Sequence, residues 1–370
     1  MDEGLLTIFL CGDVMTGRGV DQILPHPGDP ALREQHVPDA RIYVRLAEAV
    51  SGPIPRPAGY GWPWGDALPV LDSLAPDARV INLETSITRR DTFAPGKGIH
   101  YRMSPANTGC LLAAHPDVCT LANNHMLDFG QGGLADTLDA LGRAGLTAAG
   151  AGRDETMAGQ PAAVGVAGRG RVLVLACGTP SSGIPPDWAA GPGRPGLNVL
   201  PDLSARTADR LISALQQAGQ PGDVLVVSIH WGPNWGYDVP ADQVGFAHRL
   251  LDGGADVIHG HSSHHPRPVE VYRGKLVLYG CGDCIDDYEG ITGYAEYRDD
   301  LRLLYFAAVE PGTGRLAGLR MVPMQARKMR LRRAADQDTR WLAGVLSQIS
   351  RRFGTRVELE PGGQLTVGAG

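Results

Sequence analysis

Lysine is nearly absent from this sequence: of 34 basic residues only Lys97, Lys275 and Lys328 are lysines. We read that as a compositional habit of the chain, without functional content. Aromatic residues are sparse at 6%, and the net charge is only −6, from 34 basic and 40 acidic residues. Such a chain lacks the basic footprint of a nucleic-acid binder. Only the segment 320–333 is locally rich in arginine, and it reads as a solvated C-terminal surface. No stretch approaches the ~18 apolar residues of a membrane helix. The N-terminus is acidic, and the apolar run behind it, 5–11, is too short and wrongly flanked for a signal peptide. The expectation is a cytoplasmic protein with neither nucleic-acid nor membrane partners. Six scattered cysteines include one lone pair, Cys281-Gly282-Asp283-Cys284, with no second pair to complete a zinc site. Reduced, buried thiols fit that usage.

What the sequence does have is turn residues and short apolar runs. Gly 50 and Pro 28 make up 78 of 370 residues, and apolar residues 43%, which together describe a folded chain with many ordered loops. The runs 5–11, 78–83, 117–122, 171–177, 223–229, 255–258, 275–279 and 301–309 are β-branched and bounded by turn residues, as buried strands are. Between them, 104–114, 133–144, 204–218 and 242–251 carry helical spacing, and 341–349 adds a late helix. Strands alternating with helices predict an α/β protein. Two Pro/Gly/aromatic-dense segments, 25–65 and 179–201, break the rhythm and read as long ordered loops.

The residues that follow the strands carry the chemistry. Gly12-Asp13 follows the first and Glu84 the second; Asn123-Asn124-His125, His230-Trp231-Gly232 and Gly280-Cys281-Gly282-Asp283 follow three others. The run 255–258 is followed by four histidines, His259, His261, His264 and His265. Ligands of open α/β sheets bind beyond the carboxyl ends of strands. Oxygen donors mixed with imidazoles suit one or two divalent ions such as Mn, Zn, Fe, Mg or Ca, which in a two-metal site lie ~3.5–4 Å apart.

These motifs, with Asn82-Leu83-Glu84-Thr85, Gly12-Asp13-Val14-Met15-Thr16-Gly17 and Gly260-His261-Ser262-Ser263-His264, resemble the CapA-like (poly-γ-glutamate synthesis) family of calcineurin-like metallophosphatases. The resemblance covers about residues 5–310. It implies a four-layer α-β-β-α sandwich, with a catalytic domain at 1–320 and a packed C-terminal extension at 321–370. It also implies metal ligands at Asp13, Glu84, Asn124, His230, His261 and His264. Met15 stands where the phosphatases carry a histidine ligand, so one of two ions should be held more weakly.

Within the family the chain looks most like cytoplasmic actinobacterial members that include a lasso-peptide epimerase. That likeness implies inversion at the Cα of a C-terminal residue, tryptophan in that enzyme, of a peptide substrate. A divalent ion would stabilise the charge that develops on the carbonyl oxygen. Inversion needs a base on each face, for which His125, His259, His265 and Asp283 are the candidates. Trp62, Trp64, Trp188, Trp231 and Trp235 are the candidates for an aromatic groove holding the peptide end. Hydrolysis of a phosphoester or amide at the same site, and a capsule-synthesis factor without chemistry, remain the alternatives.

Overall fold

A computed structural model describes residues 4–368. Two sheets lie face to face. In the first, the strands Leu6–Val14, Ala78–Leu83, Val118–Thr120 and Thr147–Ala149 run parallel, and Leu301–Val309, Leu316–Ala326 and Leu365–Gly368 add antiparallel neighbours beyond Leu6–Val14. In the second, Gly170–Gly178, Val224–His230, Val257–His261 and Lys275–Leu278 are parallel, with antiparallel strands Ala162–Val166 and Val269–Tyr272 at the edges.

The period-2 alternation of side chains along a strand decides the layers. Ile8 and Leu10 join Val80, Val174, Val226 and Val257 in a core between the two sheets. Phe9 and Cys11, one position out of phase, face the helices Arg41–Ser51, Ala67–Leu74 and Gly130–Arg143 through Val44, Leu71 and Leu134. Leu175, Val227 and Ile258 face Ala205–Ala218 and Ala241–Asp252 on the far side. Three apolar layers between four layers of structure give the α-β-β-α sandwich.

The helices obey the same local rules. Ser204 caps Ala205–Ala218 by accepting from the Thr207 amide. Ala208, Leu211 and Leu215, spaced three and four apart, form its buried stripe. Truncating Leu211 to alanine would cost about 2–5 kcal/mol.

Some expectations need correction. The segment 25–65 is not all loop, since Arg41–Ser51 is a helix whose Tyr43, Val44 and Ala47 are buried. Its apolar spacing was masked by the dense Pro and Gly on either side. The other long segment does stay irregular, with only the short turns Pro180–Ser182 and Pro186–Trp188. The arginine-rich 320–333 is not simply a solvated surface. Its first half belongs to the strand Leu316–Ala326, where Met321, Val322 and Met324 are buried and Arg320 is exposed. The division drawn after residue 320 falls inside that strand. All six cysteines are buried free thiols.

Candidate metal centre

The parallel registers bring the strand ends together. Asp13 pairs with Asn82 on one side and with Asp283 on the other, and His230 pairs with His261 across the second sheet. Asp13, Glu84, His230, His261, His264 and Asp283 are all buried, and Asn124 is half-buried at the edge.

Two ligand groups share Asp13. Donor atoms of Asp13, His230 and His261 lie within 4.8 Å of one another, and so do those of Asp13, His264 and Asp283. The Asn82 side-chain amide donates to Asp13 Oδ1 at 2.7 Å and to Glu84 Oε2 at 3.0 Å, aligning both carboxylates. The Nδ1 atoms of His230 and His261 face each other at 2.7 Å, and His230 Nε2 lies 3.1 Å from Asn124 Oδ1. Ser228 Oγ reaches the far nitrogen of His261 at 2.9 Å, a contact that fixes the ring.

The electrostatics call for a cation. Asp13 Oδ2 and Asp283 Oδ2 are buried without any hydrogen-bond partner. Burial, and then the neighbouring Asp283, push the Asp13 carboxyl up to about 7. Burial together with Asp13 and Asp283 also raises Glu84. Burial lowers His230 and His261, keeping both as the neutral imidazoles that bind metals. Buried carboxylates this close are costly unless a cation offsets them. The residues present therefore fit one or two divalent ions, with mixed oxygen and nitrogen donors.

Asp283 thus sits among the candidate ligands and not where a free base would be. Its Oδ1 is 2.8 Å from His264 Nδ1, and strand pairing places it beside Asp13. Met15, where the resemblance implied a histidine in the phosphatases, is fully buried, and Asp283 offers a donor atom within 4.8 Å of one from Asp13.

Of the other candidate bases, only His125 faces the cleft. Its Nδ1 is 2.7 Å from Asp128 Oδ2, which leaves Nε2 turned toward Glu84 Oε1, 3.9 Å away. Burial, and then the nearby Lys97 cation, lower His125 to about 4, so the ring is neutral at pH 7. His259 is excluded as a cleft base: its two nitrogens bond Ser228 Oγ at 3.1 Å and the Cys11 carbonyl at 2.8 Å between the sheets. His265 is excluded too. Its Nε2 accepts from the Gly236 amide at 3.0 Å, and Nδ1 therefore donates to the Pro266 carbonyl at 3.1 Å.

The tryptophans divide in the same way. Trp235 lines the cleft and stacks on Tyr294 at 3.8 Å. Trp188 is buried in the helix-side core, with Lys97 Nζ 5.1 Å from its ring. Trp64 and Trp231 are fully buried and donate to the Cys110 and Tyr279 carbonyls, so neither can touch a substrate. Trp62 is pinned to the Lys328 carbonyl and packs under Arg330.

The cleft above the ligands has a volume of about 410 Å³. A neighbouring cavity of about 420 Å³, behind the segment 286–302, contains none of the ligand residues. Several functional side chains escaped the sequence reading. Asn82 orients two ligands. Asp128 and Lys97 brace His125, with Lys97 Nζ 2.5 Å from Asp128 Oδ1. Arg18 and Tyr288 line the cleft. The signals available were the three-residue His125 to Asp128 spacing and the rarity of lysine.

Comparison with known proteins matches residues 7–288 to the family "Bacterial capsule synthesis protein PGA_cap". A "Probable polyglutamine synthesis accessory protein" of Mycobacterium tuberculosis is 52% identical over 364 residues, covering 98% of this chain and 96% of that one. "PGA biosynthesis protein CapA" of Bacillus subtilis (strain 168) is 26% identical over 314 residues, 85% of this chain and 70% of that one. The 5'-nucleotidase precursor from Thermus thermophilus overlays with a TM-score of 0.49 at 16% identity, covering 93% of this chain and 58% of that one.

Proposed function

The chain belongs to the PGA_cap family, and from that premise we propose that it is a divalent-metal hydrolase serving the synthesis of a glutamyl polymer. One observation carries the reading: two buried, unpartnered carboxylate oxygens, of Asp13 and Asp283, belong to a cluster whose His230 and His264 line an open cleft together with a neutral His125. The names of the relatives support the polymer as the setting. A divalent ion held by Asp13, Glu84, Asn124, His230, His261, His264 and Asp283 would act as a Lewis acid on the bond to be cleaved. His125 Nε2 takes the proton of the attacking water and returns it to the leaving group. Asp128 holds the Nδ1 proton in place, and His125 and Lys97 together hold its carboxyl below the usual carboxylate range against the effect of burial.

The epimerase reading meets a specific difficulty. It needs a base on each face of the carbon, and His125 is the one candidate with a free nitrogen in the cleft. Hydrolysis needs only one such group. A capsule-synthesis factor without chemistry would leave the His125–Asp128 pair without a task. The expected setting, cytoplasmic with a peptide-type partner, is part of the proposal. No helix among the described residues is long and apolar enough to cross a membrane.

The experiment uses Mn²⁺-loaded protein with bis(p-nitrophenyl) phosphate and with γ-glutamyl p-nitroanilide. Release from one of them should require metal and be lost in His125→Ala. If neither is cleaved while a tryptophan-ended peptide takes up deuterium at Cα in D₂O, the epimerase reading replaces this one. If neither reaction occurs, the factor without chemistry does.

A further inference from the structure

Tyr288 lies on the wall of the metal cleft, half-buried, with its ring edge-on to His264 at 5.2 Å. Its backbone is pinned by a bond from its amide to Asp286 Oδ1 at 2.9 Å. The phenol has an unusual set of partners. Tyr101 Oη donates to Tyr288 Oη at 2.9 Å, which occupies it as an acceptor. Its own proton points to Met15 Sδ at 3.6 Å, and a thioether is among the weakest acceptors in proteins.

Tyr101 cannot swing away from this arrangement. It is fully buried, its amide donates to Asp128 Oδ2 at 2.7 Å, and the Arg18 guanidinium lies 4.3 Å from its ring centroid. The same ring meets His125 edge-on at 4.5 Å. One rigid tyrosine therefore supports both the proton-carrying His125 and the Tyr288 phenol.

We propose that Tyr288 is a substrate-contacting donor, whose O–H leaves Met15 Sδ to hydrogen-bond the oxygen that gains negative charge on a phosphoryl or carbonyl group under attack. The proposal rests on the hydrolase reading for the identity of that oxygen. A charged oxygen is a far better acceptor than a thioether, so the exchange favours the substrate. The donor is already oriented, as stabilisation of a developing oxyanion requires. Met15 and the phenol are then two sides of one arrangement. The methionine fills the space without taking the proton.

The test compares Mn²⁺-loaded wild type with Tyr288→Phe, which keeps the ring against His264. Three quantities are measured: Mn²⁺ affinity by calorimetry, inorganic phosphate affinity, and turnover of bis(p-nitrophenyl) phosphate. Mn²⁺ affinity should stay within about twofold. Phosphate should bind about tenfold more weakly, and kcat should fall about 10²-fold with little change in KM, as on removal of one oxyanion donor. Equal phosphate affinity in the two proteins overturns the proposal, as does wild type that binds no phosphate. A parallel loss of Mn²⁺ affinity also overturns it, because the phenol would then be bracing the ligands. If wild type turns nothing over, the hydrolase reading fails, while the phosphate comparison still decides the role of Tyr288.

Discussion

Replacing Asp13 with asparagine should stabilise the metal-free protein and remove most of the stabilisation that metal gives. In the metal-free protein, Asp13 Oδ2 faces Asp283 without a partner, and its carboxyl is pushed up to about 7 from a usual 3.8. A carboxyl raised in the fold destabilises it wherever the group is ionised. The cost begins above the unfolded pKa and is complete once the pH passes the folded one. Three units correspond to about 4 kcal/mol at pH 8. The asparagine side chain would keep the bond from Asn82 and remove the charge. Unfolding entropy of ~2.1 cal/mol/K per residue gives about 0.8 kcal/mol/K for 370 residues, so metal-free D13N should melt about 5 °C higher at pH 8. The gain should shrink at pH 5, where wild-type Asp13 is itself mostly protonated. With metal the difference closes. An ion at ~1,000 times its Kd adds about 4 kcal/mol, again about 5 °C, to wild type, and D13N should lose most of that increment. Scanning calorimetry of both proteins, with EDTA and with Mn²⁺, measures all four values. A D13N protein that melts lower without metal and keeps the full metal increment would refute the assignment of Asp13 as the shared ligand.

Asp128→Asn should lower kcat by about 10²–10⁴-fold, the range for disturbing a general acid–base group, while Mn²⁺ affinity measured by calorimetry stays unchanged. His259→Ala should destabilise the protein by about 1–3 kcal/mol in urea unfolding, because it strands the buried Cys11 carbonyl; a purely kinetic defect would contradict its placement. Trp64→Ala should cost about 3–5 kcal/mol as a core truncation, whereas Trp235→Ala should leave the melting temperature nearly unchanged and raise KM.

The element pattern was legible because strand formation is local. Runs such as 78–83 and 301–309 coincide with the strands Ala78–Leu83 and Leu301–Val309. Leu316–Ala326 was hidden by Arg320 and Pro323, which break its apolar alternation. It forms because both neighbours, Leu301–Val309 and Leu365–Gly368, supply backbone partners. Helix Arg41–Ser51 was obscured by the company it keeps, since its narrow buried face is flanked by prolines and glycines.

The sequence alone determined that acids, an amide and imidazoles follow the strands, because a strand and the turn after it are set by neighbouring residues. It could not determine which of those side chains remain free to act. His259 and His261 are two positions apart and chemically identical. One is spent on the carbonyl of Cys11, which is 248 positions away in the chain, and the other meets His230 in the ligand cluster. Asp283 became a ligand candidate, instead of a base, through its parallel register with Asp13. Trp64 and Trp231 became core through burial that no local pattern records. Hydrogen-bond capacity and exposure are consumed by partners from distant segments, so only the tertiary structure could decide which residues are left for chemistry.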